Sequence, residues 1–145
     1  QAAMALECAA RRGQASGVEI DLVPSLALIA APENLLPTGP HPPGLVLDWR
    51  PFVAELISGK PDSEEAAFCF HLALAHAAVA IARAANAERV ALTGGCFQNR
   101  LLLGTTVTAL LAAGVQPLVH KMVPANDGGL AVGQLLIGAA ASAKN

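Results

Sequence analysis

Two short segments, each a glycine pair between an apolar run and a helical pattern, constrain this chain more than any other feature. The first glycine turn covers residues 92–100, LTGGCFQNR, and the second glycine turn covers residues 123–129, VPANDGG. Glycine lets the backbone come close to a ligand, and the first amides of the following helix have no partner within that helix. Two such turns in one domain indicate a nucleotide or a phosphate held between them.

Length and composition are those of a folded single domain. The chain has 145 residues, of which 54% are hydrophobic and 14% are charged, so it is long enough and apolar enough for a hydrophobic core. So low a fraction of charged residues is unusual for a domain whose whole surface faces water, and we expect part of the surface to face another domain. The net charge of −2, without a basic cluster and with 3% aromatic residues, argues against nucleic-acid binding.

The cysteines and the apolar runs indicate the cellular setting. Cys8, Cys69 and Cys96 are widely spaced and form no CxxC pair, which indicates neither a disulfide framework nor a zinc site. A reducing cytoplasm is the simplest setting. We expect no membrane segment, because no apolar run approaches the ~20 residues that span a bilayer. The chain opens on Gln1 inside a helical pattern, so we expect it to be a piece of a longer protein.

The pattern of apolar residues predicts an α/β domain, in which helices and strands alternate. The strands predicted at 89–92 and 115–119 should be parallel neighbours joined by a right-handed helical crossover. Both glycine turns then lie at the carboxyl ends of these strands, which is the edge where open α/β sheets bind ligands. The other predicted elements are a helix from Gln1 to Arg12 ended by Gly13, a strand at 18–23, an irregular proline-rich connection at 24–43, a strand at 45–48, a helix at 51–58, a helix from Asp62 or Ser63 to Asn86 capped by Ser63, and helices at 98–113 and 130–141.

Residue types alone leave the roles in the first glycine turn open. Gly94 and Gly95 either let the main chain approach a nucleotide or only make a tight strand-to-helix turn. Asn99 either hydrogen bonds a ligand or helps to cap the turn. A cysteine in a strand–turn–helix elbow can be a nucleophile, but the elbow pattern G-x-C-x-G requires glycine at the position where Gln98 stands. We therefore expect Cys96 to be a small buried hydrophobe.

Asp127 and the histidines are the remaining candidates for chemistry. Asp127 is either a helix cap or a metal ligand, and a single carboxylate needs further ligands from phosphates or from outside this chain. His71 and His76 lie ~140° apart on the predicted long helix, so they cannot share a metal ion. Neither is at the centre of the apolar stripe, and we interpret both as structural or interfacial. His41 and His120 are candidates to line a site.

The two glycine turns, extended to LTGGCFQNRLLL and VPANDGGLAVGQ, resemble the C-terminal end of the hydrogenase-maturation carbamoyltransferases, the HypF family. The opening QAAMALE is similar to that family's E-G-Q-A-A-M-x-L-E segment, and FHLALAHA is similar to its F-H-x-x-L-A helix. The resemblance spans nearly the whole chain and is thin between about Ala31 and Asp62. Thr93 stands where the family usually has serine. Cys96 stands where it usually has valine, which argues further against a nucleophile.

The resemblance implies an α/β fold that is the C-terminal part of an actin-like, sugar-kinase-type (ASKHA) domain, related to the tRNA threonylcarbamoyl transferases. It implies an enzyme that uses carbamoyl phosphate and ATP, through a carbamoyl-adenylate, to carbamoylate the C-terminal cysteine of a HypE-like partner in NiFe hydrogenase maturation. The site residues that it implies are Gly94, Gly95 and Asn99 at the adenylate, Gly128 near the phosphates, Glu7 at the ribose and Asp127 at a divalent metal ion.

In the resembling proteins a metal-binding histidine pair and further modules lie upstream of the segment that begins at Gln1. The upstream domains are therefore expected partners, together with the acceptor protein, and the segment alone is expected to be inactive. Neither nucleic acid nor a membrane is an expected partner. Two alternatives stay open: a hydrolase or amidotransferase that depends on Cys96, and a non-catalytic nucleotide-binding or assembly domain on the same scaffold.

Overall fold

The computed structural model describes residues 2–15, 27–30 and 44–143. In this part of the chain the elements are α1 (Ala2–Ala15), β1 (Ala27–Ala30), β2 (Leu45–Asp48), α2 (Arg50–Gly59), α3 (Ser63–Ala84), β3 (Arg89–Leu92), α4 (Arg100–Ala112), β4 (Gln116–Val119) and α5 (Leu130–Ser142). Single 3₁₀ turns at Gly95–Gln98 and Asp127–Gly129 precede α4 and α5. The predicted α/β order is confirmed. The strand predicted at 18–23 lies outside the described residues, as does His41.

The four strands of the described part of the chain form two separate pairs. β3 and β4 are parallel, with Arg89 opposite Gln116 and Leu92 opposite Val119, as the sequence predicts. β1 and β2 are antiparallel. β1 lies within the stretch 24–43, where we expected only irregular structure. That expectation is wrong for residues 27–30, because a short apolar run between prolines is long enough for one strand.

The helix boundaries differ from the predictions at the caps. The N-cap of α3 is Asp62 rather than Ser63, and its carboxylate accepts hydrogen bonds from the amides of Glu64 and Glu65, both at 2.8 Å. A carboxylate at this position also has the charge that a helix N-terminus favours. α4 begins after a 3₁₀ turn, two residues later than predicted. Gly114 follows its last turn with φ +76°, as predicted for a C-terminal glycine.

Gly13 does not end α1, contrary to the prediction, because the helix continues to Ala15. The glycine is buried, and a Cβ built on it would lie 2.7 Å from the carbonyl oxygen of Glu64. The adjacent Arg12 forms an ion pair with the Glu64 carboxylate. Gly13 therefore lets α1 pack closely against the first turn of α3.

We expect Gly13→Ala to lower the free energy of unfolding by about 1 kcal/mol. Overpacking against the Glu64 carbonyl costs about 1–3 kcal/mol, and the better helix propensity of alanine offsets about 1 kcal/mol of it. Urea unfolding of the protein measures the difference. Gly104→Ala in α4 is the matched control, because nothing lies within 4 Å of a Cβ there. Equal stabilisation by both substitutions would contradict the close contact.

Among the described residues the core consists of three small clusters that all include residues of α3. The first joins α3 to β3, α4 and the residue directly before β4, the second joins it to α1 and α4, and the third joins it to α2. The buried members are Ala82, Leu92, Leu110 and Val115; Ala10, Ala67 and Leu101; and Phe52, Cys69 and Ala73. Burial raises the pKa of the Cys69 thiol, which suits a structural residue.

α3 has the length and apolar composition of a membrane-spanning helix. The expectation that no apolar run approaches that length is therefore wrong, because between Glu65 and Arg83 the residues of α3 other than His71 and His76 are all apolar. In the structure seven residues of α3 are buried, and the helix packs against α1, α2 and α4. This packing is that of a core helix in a folded domain.

Candidate functional site

The two glycine turns meet at one edge of the β3–β4 pair. The amide of Gly94 donates to the carbonyl oxygen of Ala125 at 2.7 Å, which ties the first turn to the second. His120, just after β4, places its Nε2 atom 3.0 Å from the Thr93 hydroxyl oxygen. The expectation that both turns lie together at the carboxyl ends of parallel strands is confirmed.

The first glycine turn has the backbone that a ligand approach needs. Gly94 adopts φ 94° and ψ 162°, a conformation that is essentially restricted to glycine. The following 3₁₀ turn is closed by a hydrogen bond from the Phe97 amide to the Gly94 carbonyl. The amides of Gly95 and Cys96 open this turn and have no acceptor within it. Nothing lies within 4 Å of a Cβ built on Gly95, so the space beside it is open.

Asn99 caps α4 and also contacts the core. Its Oδ1 accepts from the Leu102 amide at 2.9 Å, so the capping alternative is realised. Its Nδ2 lies 2.7 Å from Nε2 of His71 on α3. An amide NH₂ has two hydrogens, so one remains for a ligand beside the turn. The ligand contact of Asn99 stays a prediction.

His71 is a structural residue, as we interpreted it, but it lies in the core with 2% of its surface exposed. The position of His71 relative to the apolar stripe did not predict this burial, because α3 is covered by other elements on more than one side. The Nδ1 atom lies 2.7 Å from the carbonyl oxygen of Ala67, so Nδ1 carries the proton and Nε2 accepts from Asn99. Sequence reasoning missed this pair, since no local spacing joins residues on α3 and α4. His76 is exposed.

A cavity of about 460 Å³ lies between α1 and the first glycine turn. Glu7 on α1 lines one wall, and Gly95 and Asn99 line the other. The Glu7 carboxylate is held by an ion pair with Arg11, one helical turn further along α1. Three of the site residues that the resemblance implies therefore surround one cavity.

A second cavity, of about 450 Å³, lies between the second glycine turn and α5. Gly94, His120 and Asp127 line it. Since Gly94 and Gly95 are consecutive, the two cavities flank the first glycine turn. His120 thus lines a candidate site, whereas nothing in the sequence required it to.

The second glycine turn provides acceptors for the amides of both its glycines. Asn126 is the cap of this turn, and its Oδ1 accepts from the Gly128 amide at 3.0 Å, while the Gly129 amide donates to the Asn126 carbonyl at 2.9 Å. A Cβ on Gly128 would lie 3.0 Å from the same Oδ1. Gly128 therefore serves the turn itself, and its contact with phosphates stays a prediction.

Asp127 is exposed and is not the helix cap, so that alternative is wrong because Asn126 occupies the capping position one residue earlier. Within residues 2–15, 27–30 and 44–143, no group of three or more histidine, cysteine or acidic side chains is arranged to hold a metal ion. Asp127 can therefore supply one ligand to a metal but not a complete site.

Cys96 is exposed, so the expectation of a small buried hydrophobe is wrong. In the 3₁₀ turn it is the next residue, Phe97, that packs against the core. Cys96 and His71 both line the cavity between α1 and the first glycine turn. Both ring nitrogens of His71 are already hydrogen bonded, so His71 is not available as a base for a nucleophilic cysteine.

A profile of the family described as carbamoyltransferase, Kae1-like domain, second subdomain, matches residues 1–134. The chain belongs to this family. It is 42% identical over 93 residues to the carbamoyltransferase HypF of Synechocystis sp., covering 63% of this chain and 12% of the relative. It is 45% identical over 112 residues to the carbamoyltransferase HypF of Rhodobacter capsulatus, covering 71% of this chain and 15% of the relative. The carbamoyltransferase HypF of Rhizobium leguminosarum bv. viciae is 41% identical over 93 residues, covering 61% and 12%.

The resemblance to the C-terminal part of the HypF carbamoyltransferases is thereby confirmed. The chain spans only about 12–15% of the length of these relatives. No solved structure matches it. In this Kae1-like subdomain, five of the six implied site residues fall into two groups around the first glycine turn: Glu7, Gly95 and Asn99 beside α1, and Gly94 and Asp127 beside α5. The sixth, Gly128, lines neither cavity.

Proposed function

We propose that this subdomain forms the nucleotide-binding part of a carbamoyltransferase with an actin-like, sugar-kinase-type (ASKHA) domain. The whole protein, in the cytoplasm, uses carbamoyl phosphate and ATP, through a carbamoyl-adenylate, to carbamoylate the C-terminal cysteine of a HypE-like acceptor protein in NiFe hydrogenase maturation. The observation that carries the proposal is the hydrogen bond from the Gly94 amide to the Ala125 carbonyl, at 2.7 Å. It fixes two glycine turns at one edge of a parallel strand pair, where α/β proteins bind nucleotides.

The first glycine turn supplies the anion-binding part of the proposed site. The opening amides of a helical turn point outward and attract phosphate oxygens, and the missing side chain at Gly95 leaves room for them. Across the cavity, one Glu7 oxygen is bonded to Arg11, and the other is left to accept hydrogen bonds from ribose hydroxyls. Glu7, Gly95 and Asn99 thus provide ribose and adenylate contacts on opposite walls.

Asp127 fits a divalent cation as one ligand among several. Its carboxylate is exposed beside the second cavity, and Mg²⁺ in proteins is held by one or two carboxylates together with substrate phosphates and water. The remaining ligands come from the nucleotide and from other domains of the protein. A bound divalent ion neutralises phosphate charge and orients the reacting groups.

Calorimetric titration of ATP with Mg²⁺ into the full-length protein tests the proposal. Relative to wild type, Asp127→Ala is expected to weaken binding by about 1–3 kcal/mol, the loss of a hydrogen bond or ion contact to a charged group. Glu88→Ala is the control, because Glu88 is an exposed carboxylate directly before β3, at the opposite end of the strand from the turns. Equal affinity for wild type and Asp127→Ala would refute the metal assignment. No binding to either would contradict the nucleotide site and favour an assembly domain.

A further inference from the structure

A chain of three hydrogen bonds joins the core helix α3 to the first turn of α4. Nδ1 of His71 lies 2.7 Å from the carbonyl oxygen of Ala67, and Nε2 of His71 lies 2.7 Å from Nδ2 of Asn99. Oδ1 of Asn99 in turn accepts from the Leu102 amide at 2.9 Å. A carbonyl oxygen can only accept and a main-chain amide can only donate, so the two ends of the chain fix the direction of every bond between them.

No other arrangement of the same groups satisfies all three bonds. If the Asn99 amide were turned over, its NH₂ group would face the Leu102 N–H and its oxygen would face the unprotonated Nε2 of His71. Moving the ring proton to Nε2 would instead set a bare Nδ1 against the Ala67 carbonyl. His71 has 2% of its surface exposed, so water offers little replacement for a lost partner. The histidine ring therefore determines which way the Asn99 amide faces.

The orientation of Asn99 decides what the first glycine turn offers to a ligand. Asn99 lines the cavity between α1 and this turn, with Glu7 on the opposite wall. Its Nδ2 atom has a second hydrogen that the chain of bonds does not use, whereas its oxygen is engaged by α4. Asn99 therefore presents a donor to the cavity, and the Glu7 carboxylate presents an acceptor. A ligand that fits between them carries an acceptor atom on the Asn99 side and a donor, such as a hydroxyl, on the Glu7 side.

We propose that His71 is a positioning residue of the nucleotide site. It holds the Asn99 amide with one N–H toward the cavity, where an acceptor atom of the adenylate receives it. Since both ring nitrogens are engaged, His71 acts through Asn99 and does not bind the nucleotide itself. The identity of the ligand rests on the proposed function, whereas the orientation of Asn99 does not. The ring also packs edge-on against Phe70, with centroids 6.1 Å apart, but packing alone needs no ring nitrogen.

Two substitutions distinguish the two nitrogen atoms of His71. The side-chain amide of glutamine reaches about as far as Nε2, so His71→Gln keeps an acceptor for Asn99. The side-chain amide of asparagine reaches only about as far as Nδ1, so His71→Asn keeps the bond to Ala67 and loses the bond to Asn99. The Leu102 amide reports the outcome, because Asn99 supplies its acceptor.

Hydrogen–deuterium exchange of the full-length protein without nucleotide, resolved to single amides, tests the orientation. The Leu102 amide should exchange about tenfold faster in His71→Asn, the loss of one hydrogen bond, and at nearly the wild-type rate in His71→Gln. The Glu65 amide, which Asp62 caps in the same way on α3, is the internal control and should be unchanged. His76→Asn, at an exposed position of α3, should change neither amide. An unchanged Leu102 amide in His71→Asn would overturn the inference, and so would equal acceleration of both amides, which indicates general loosening.

Titration of ATP with Mg²⁺ into the same full-length variants tests the consequence for binding. His71→Asn should weaken binding about tenfold, and His71→Gln should stay near wild type. In an Asn99→Ala background His71→Asn should have no further effect, since His71 acts only through Asn99. Additive losses, or equal affinity of the wild type and every variant, would overturn the positioning role. If the wild type does not bind ATP, the proposed function fails, while the exchange of the Leu102 amide still supports or overturns the orientation of Asn99.

Discussion

Replacing Asn99 with alanine is expected to lower the free energy of unfolding by about 2–4 kcal/mol. The substitution removes the cap of α4, at a cost of about 1 kcal/mol. It also leaves Nε2 of the buried His71 without its donor, which costs about 1–3 kcal/mol. Urea unfolding followed by circular dichroism measures the sum.

Asn126→Ala is the matched control for Asn99→Ala. Asn126 caps the second glycine turn in the same way, through a hydrogen bond from the Gly128 amide, but its described bonds include no buried partner. Its loss should therefore cost about 1 kcal/mol or less. If the two variants lose equal stability, the hydrogen bond to His71 does not contribute. Asn99→Asp keeps the capping oxygen but removes the donor, so an intermediate loss is expected.

Gly94→Val is expected to destabilise the protein by about 3 kcal/mol, because a β-branched residue does not tolerate the backbone of Gly94. That backbone has φ 94° and ψ 162°. The cost is strain rather than a clash, since the nearest atom to a Cβ at Gly94 is the Cys96 sulfur at 4.0 Å. The turn relieves the strain only by moving the Gly94 amide away from Ala125. Thermal unfolding of the variant measures the loss.

The same substitution at the neighbouring Gly95 distinguishes the effect of backbone strain from the effect of filling the space for a ligand. Gly95 has no positive φ and open space around a Cβ, so Gly95→Val should cost less than about 1 kcal/mol of stability. The same valine fills the space proposed for phosphate oxygens and should weaken ATP binding at least tenfold, or by more than about 1.4 kcal/mol. Equal destabilisation by the two valines would refute the assignment of strain to Gly94. Unchanged ATP affinity in Gly95→Val would refute the phosphate position.

The sequence predicts the architecture best where the signal is local. Apolar runs, glycine pairs and helical periods predict β3, α4, β4 and α5 nearly at their observed bounds, and chain order predicts that the two strands are parallel. The prediction that Gly13 ends α1 is wrong for a physical reason. In the sequence, a glycine that ends a helix cannot be distinguished from a glycine that allows close packing of a second helix. β1 was not predicted, because the prolines on both sides of its four-residue apolar run indicate irregular structure.

The site depends more on contacts that the sequence does not contain. Glu7 was assigned only through the family resemblance, since nothing in the residues alone brings α1 beside the first glycine turn. The link between His71 and Asn99 joins two helices and has no spacing signature. Cys96 was expected to be buried and is exposed, and the neighbouring Phe97 packs against the core instead, because a 3₁₀ turn rotates each residue further than an α-helix does.

The hydrogen bond between the two glycine turns also limits the positions at which the residue type can change. It joins a main-chain amide at Gly94 to a main-chain carbonyl at Ala125, so no side chain takes part in it. Residue 125 can therefore change in type across related proteins without altering the distance between the turns. Residue 94 has no such freedom, since its dihedral angles require glycine. The distance between the two glycine turns therefore depends on glycine at position 94, whereas the residue type at position 125 can vary.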